Sequence, residues 1–158
     1  MKKFLSLFLL TLVLVVIVTS CKTPPPTGWA AVAGKEWKLI EVRINDTFER
    51  TILFDRKELS ADNRTKDIFS ITFAENSLGG TAAPNRYNAP YSLGDAQSIN
   101  ILPMRSTMMA NTEFFPERLH EHNFFTYVSN VYKWDLRDGK LVLSSKNEEE
   151  RDVILIFE

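Results

Sequence analysis

Trp134-Asp135-Leu136-Arg137-Asp138-Gly139-Lys140-Leu141-Val142-Leu143 is the stretch that decides the fold. Trp134 and Leu136 alternate with charged residues before Asp138-Gly139, and Leu141 and Leu143 alternate after it. Two period-two runs around an Asp-Gly dipeptide predict a β-hairpin, because a two-residue turn favours Asn-Gly and Asp-Gly. Downstream, residues 144–152 are polar and read as a loop, with Glu148-Glu149-Glu150 a solvated run. Val153-Ile154-Leu155-Ile156-Phe157 then closes the chain as a buried strand.

Upstream of the hairpin the period changes. Phe124, Val128 and Val131 are spaced by four and three, with Leu119 and Phe125 beside the same stripe. That spacing predicts a helix from about Pro116 to Ser129, since proline is tolerated in a first turn. Its apolar face is expected to pack on Trp134, Leu136, Leu141 and Leu143.

The remaining apolar runs are strands. Trp37 and Leu39 fall on one face, and Ile40, Val42 and Ile44 on a shifted one, the pattern a bulge produces. Thr51–Phe54, Ile68–Phe73 and Ser98–Leu102 are shorter strands, and the charged segment 55–67 is a loop with room for one helical turn. Residues 76–90 are dense in Gly, Asn and Pro and read as turns. Strands outnumber helices and connections are short, so the expected class is an antiparallel α+β domain.

The N-terminus has a different character. Met1-Lys2-Lys3 is basic, and Phe4–Val18 is a 15-residue run broken only by Ser6 and Thr11. This suits a signal-peptide core and is short for a membrane span of roughly 20 apolar residues. Val18-Thr19-Ser20-Cys21 follows as a lipobox, favoured over an uncleaved anchor helix or an ordinary secretory signal that ends near a cysteine. Its cysteine thiol is alkylated with diacylglycerol, the preceding peptide is cut, and the freed amine is often acylated. The chain contains one cysteine, and it stands at this position. With Cys21 acylated, disulfides and cysteine-bound metals are ruled out for the mature protein, and two or three acyl chains anchor it firmly.

The expected organisation is therefore residues 1–20 as signal peptide, 21–34 as lipidated Cys21 and Pro-rich tether, and 35–158 as one domain. Pro24-Pro25-Pro26 makes the tether a semi-rigid spacer. Trp29 either packs on the domain or sits at the membrane interface, and packing is the favoured reading. Removing 20 of 158 residues leaves 138. The 19 basic side chains less Lys2 and Lys3, against 20 acidic ones, give a net charge of −3. No basic patch points to nucleic acid.

These segments together resemble the META domain family (HslJ-like lipoproteins). Trp37-Lys38-Leu39 matches its opening W-x-L strand. Pro84-Asn85-Arg86-Tyr87-Asn88-Ala89-Pro90-Tyr91 is similar to its G-C-N-x-Y-x-G-x-Y motif, and Thr107-Met108-Met109-Ala110-Asn111 to its T-x-M-A-C motif. Glu121, Phe124, Val128, Val131, Trp134, Leu136, Gly139, Leu141 and Leu143 fit its C-terminal pattern. The resemblance spans about Lys35 to Glu158 and rests on the order and spacing of the motifs together. It implies a strongly curved, partly open barrel-like antiparallel sheet packed around one helix. It implies no enzymatic activity, only links to heat stress, antibiotic tolerance and, in some parasites, motility. The family's two cysteines fall at Pro84 and Asn111, and its motif glycine at Ala89. Since a disulfide typically contributes about 2–4 kcal/mol, packing by Phe124, Trp134 and other aromatics must offset its loss.

The candidate binding loop is Asn85, Arg86, Tyr87 and Tyr91, with Thr107 brought to it in space. The competing reading is that Asn85 closes a turn through its side chain while Tyr87 and Tyr91 pack beneath it. Met104, Met108 and Met109 are expected to fill core rather than form an interaction surface. His120 and His122 are two apart, which on a helix turns them about 200° from each other, so no metal site, cofactor or catalytic residue is expected. The function read from all this is a monomeric, lipid-anchored, non-enzymatic envelope factor binding an envelope protein, peptide or cell-wall component. Lys22, in place of an acidic residue after Cys21, favours the outer over the inner membrane. One alternative is a structural, envelope-stabilising protein with no discrete site. Another is a hydrolase or metalloenzyme built on His120 and His122.

Overall fold

The computed structural model describes residues 28–45, 50–59, 68–82, 84–109, 116 and 118–158. The signal peptide, Cys21 and residues 22–27 of the tether lie outside the described residues, as does Asn111. The first strand, β1 (Glu36–Asn45), is followed by β2 (Arg50–Asp55), β3 (Ser70–Phe73), β4 (Ser77–Ala82), β5 (Asn85–Leu93), β6 (Ile99–Ile101) and β7 (Arg105–Ser106). The helix α1 (Glu121–Ser129) precedes β8 (Lys133–Arg137), β9 (Lys140–Lys146) and β10 (Asp152–Phe157).

The hairpin predicted at Asp138-Gly139 is β8–β9, with Trp134 opposite Leu143 and Leu136 opposite Leu141. Asp138 at φ 51° and Gly139 at φ 74° give the left-handed pair that matches the right-handed twist of the flanking strands. β10 pairs with β9, and β1 with β10 across a register shift between Leu39 and Glu41. That shift is the phase slip visible in the sequence. Arg56 holds it in place, donating Nε to the Leu39 carbonyl and Nη2 to the Ile68 carbonyl, the latter at 2.8 Å.

The strands run β6-β5-β4-β3-β1-β10-β9-β8, all antiparallel, with β2 on β1 and β7 on β5 off this path. β6 and β8, at the two ends of this order, meet at a seam. Ser98 bridges Lys133 there, Ile99 N–H donates to the Tyr132 carbonyl at 3.1 Å, and Trp134 N–H donates to the Gln97 carbonyl at 3.0 Å. The sheet is thus a nearly closed barrel with one helix, the curved α+β architecture expected.

Three expectations need correction. First, residues 76–90 are mostly strand. A Cβ on Gly80 would stand 1.9 Å from the Ser70 carbonyl oxygen, so this glycine serves close strand approach rather than a turn. Pro90 lies at an exposed position of β5, where the absent N–H is harmless and its carbonyl still accepts from Leu102 N–H at 2.9 Å. Second, α1 begins at Glu121 rather than near Pro116, because His120 is extended at φ −80°, ψ 158°. Third, β9 and β10 reach Lys146 and Asp152, which shortens the last loop to 147–151.

The core has two aromatic groups. Phe124 of α1 meets Phe69 at 4.8 Å and Tyr87 at 5.8 Å between ring centroids, and Leu119, Val128 and Val131 are buried with it. At the other group, Trp29, in a 3-10 turn (Trp29–Ala31), lies 4.9 Å from Trp134, 5.0 Å from Phe73 and 5.7 Å from Tyr91. The chain is therefore packed from Trp29, ahead of Lys35. Each strand that connects the groups gives the barrel a direction. β5 runs from Asn85, hydrogen-bonded to Glu121 of α1, to Tyr91 against Trp29. The chain enters at one end, and α1 covers the other.

Candidate functional site

Asn85 opens β5 and is buried, with 4% of its surface exposed. Its Oδ1 accepts from Thr107 Oγ1 at 2.9 Å and from Met109 N–H at 2.7 Å. Its Nδ2 donates to the Met109 carbonyl at 3.2 Å and to Glu121 Oε2 at 2.9 Å. An amide has two acceptor and two donor positions, and all four are used. Thr107 does meet this segment in space, and its Oγ1 also accepts the Arg86 N–H at 3.0 Å. The result is a tie joining β5, the segment after β7 and the first turn of α1.

Tyr87 and Tyr91 are on the inward face of the same strand. Tyr87 donates its hydroxyl to the Ser70 carbonyl at 2.8 Å, and Tyr91 to the Ala74 carbonyl at 2.7 Å. Burial pushes the Tyr87 phenol far above its ordinary range. Burial also raises that of Tyr91, partly opposed by a hydrogen bond with Trp29. Neither ring ionises near neutral pH, so neither supplies a phenolate or a general base. Arg86 alone of the four is exposed. The expected binding loop is thus a strand whose Asn and Tyr groups face inward, because the period-two pleat turns alternate residues of β5 into the barrel.

The methionines depart from expectation. Met104 packs against the core, but Met108 is 97% and Met109 62% exposed. Asn85 holds the Met109 backbone at both N–H and C=O. His120 caps the helix from an extended conformation, and His122 is 82% exposed with Nε2 3.7 Å from Glu148 Oε1. Among the described residues no three His, Cys, Asp or Glu side chains are grouped as metal ligands.

A cleft of about 440 Å³ opens at the α1 end. Ile44, Leu53 and Tyr127 supply apolar lining, and Arg118, Asn147 and Glu148 are among its polar groups. The loop 147–151 is shaped by Asn147, whose Oδ1 accepts the Glu149 N–H at 3.0 Å and the Arg151 N–H at 2.8 Å. Sequence reading missed this site because its residues come from β1, β2, α1 and two loops. The one local signal was an asparagine heading an acidic loop, a residue type that bonds nearby backbone.

A family model described as META domain matches residues 30–156. No curated protein matches the chain. Among solved structures, the NMR structure of a protein from Burkholderia xenovorans is similar at a TM-score of 0.54 and 13% identity, over 82% of this chain and 85% of that one. A DUF4847 family protein from Bacteroides vulgatus gives 0.48 and 12%, over 79% and 92%. At 13% identity the likeness to the Burkholderia xenovorans protein concerns the fold alone.

Proposed function

The chain belongs to the META domain family, and on that premise we propose that it is a lipid-anchored, non-enzymatic binding factor of the cell envelope that works through the α1 end of its barrel. The observation that carries this reading is the opposition of the two ends. The chain enters the barrel at Trp29, while the cleft lies against α1. With lipid on Cys21, residues 22–28 span at most about 25 Å, holding the Trp29 end toward the bilayer and the cleft away from it. Among the described residues no helix is long and apolar enough to cross a membrane.

The partner is an envelope protein, peptide or cell-wall component met by a monomer, with outer-membrane placement favoured by Lys22. A second reading, an envelope-stabilising protein without a discrete site, draws support from Asn85, Tyr87 and Tyr91, whose polar groups are all engaged internally. Detergent-phase partitioning of the wild type and Cys21→Ala tests the anchor. The wild type should enter the detergent phase and the variant should remain unprocessed and unacylated. A variant that matures and keeps its lipid refutes the assignment.

A further inference from the structure

The cleft at the α1 end is lined mostly by polar groups of both signs of charge around a small apolar patch of Ile44, Leu53 and Tyr127, and its groups are unequally engaged. Arg151 is paired with Glu149 at 2.5 Å. Arg118 is exposed and makes no ion pair or hydrogen bond among the described residues. Asn147 uses its Oδ1 on two backbone N–H groups, which leaves its Nδ2 hydrogens for a ligand. Among the described residues Glu148 meets only the His122 imidazole, at 3.7 Å with both side chains largely exposed, so its carboxylate is little committed. Ile44 and Tyr127 are buried and form an apolar floor with the half-buried Leu53.

We propose that this cleft binds a short peptide with a free carboxylate and a free ammonium group. Arg118 and Asn147 receive the carboxylate, because a guanidinium fork and an amide N–H₂ both donate to it. Glu148 receives the ammonium, and small side chains lie on Ile44, Leu53 and Tyr127. A volume of about 440 Å³ falls in the lower part of the roughly 300–1,000 Å³ range of ligand pockets, a size suited to a di- or tripeptide. Polyanions such as nucleotides fit poorly, since Glu148 and Glu149 stand in the same lining. The proposal rests on the reading of the α1 end as the working face.

Titration of trialanine into the full chain in detergent micelles, followed by calorimetry, tests it. Trialanine should bind saturably at one site. Its C-terminal amide and its N-acetyl form should each bind up to about fivefold more weakly, the scale of one exposed ion pair of about 1 kcal/mol. Arg118→Gln should erase the difference between acid and amide, and Glu148→Gln that between amine and acetylated amine. Absence of saturable binding overturns the proposal. So does an amide that binds as well as the acid, or an Arg118→Gln variant that still discriminates them. Equal binding of the acetylated peptide overturns the ammonium assignment and points to the C-terminus of a larger protein. Running the titration on Cys21→Ala as well separates peptide binding from anchoring, so either idea can fail without the other.

Discussion

Asn85→Ala removes four hydrogen bonds at one buried position, and the structure gives the scale of the loss. Three of them go to Thr107 Oγ1, the Met109 N–H and the Met109 carbonyl. Thr107 and Met109 are exposed, so water partly replaces those bonds, leaving a net loss of roughly 1–2 kcal/mol from the usual ~1 kcal/mol each. The fourth goes to the Glu121 carboxylate, whose Oε1 is already buried without a partner among the described residues. A bond to a charged group adds about 1.5–3 kcal/mol. Partial relaxation brings the total to roughly 2–4 kcal/mol, a large part of a stability of about 5–15 kcal/mol. At roughly 3–5 °C per kcal/mol for a domain of this size, Tm should fall by about 6–20 °C. Thermal melts of Asn85→Ala, Glu121→Ala and the double variant measure both the loss and the coupling, which should be at least about 1 kcal/mol. If Asn85→Ala melts within about a degree of the wild type, or the two changes simply add, the tie is not what holds α1 to β5.

Other variants address the core and the histidines. Phe124→Ala should cost about 3–5 kcal/mol through lost burial and the cavity left behind, visible as a sharply lower Tm, while Glu149→Ala, in an exposed pair with Arg151, should change it by almost nothing. Gly80→Ala should fail to give a native circular dichroism spectrum, since its Cβ meets the Ser70 backbone at 1.9 Å; a wild-type-like melt would mean the β3–β4 approach is looser than described. Purified protein should contain no stoichiometric zinc and keep its Tm in chelator. One zinc per chain, lost on His120→Ala, would reverse that view.

The parts of the fold that were legible in the sequence are those set by neighbours a few residues apart. Asp138-Gly139 between alternating leucines specified its turn chemically, and the phase slip after Leu39 marked a bulge that the register confirms. Phe124 and Val128 are buried on α1 as their spacing required, and Val131 is buried beyond the helix end. What failed depended on distant contacts. Gly79, Gly80 and Pro90 carry turn chemistry, yet they lie in strands because the barrel brings Ser70 against Gly80 and leaves Pro90 at an exposed position. Met108 and Met109 are apolar but exposed, and the Met109 backbone is bonded to Asn85 from 24 residues away. The site suffered most from this limit. Thr107 meets Asn85 and the Arg86 backbone, whereas Tyr91 lies at the other end of β5 against Trp29, and the polar groups of Asn85, Tyr87, Tyr91 and Thr107 are engaged with the protein itself. The cleft draws on separate elements with no shared local signature.

Intact-mass analysis of the protein extracted from membranes reads out whether the barrel is tethered to the envelope through Cys21. The chain should begin at Cys21, with diacylglycerol on its thiol and no residue of the 1–20 leader. A mass corresponding to the unmodified chain from Met1, or to a mature chain without lipid, would contradict it.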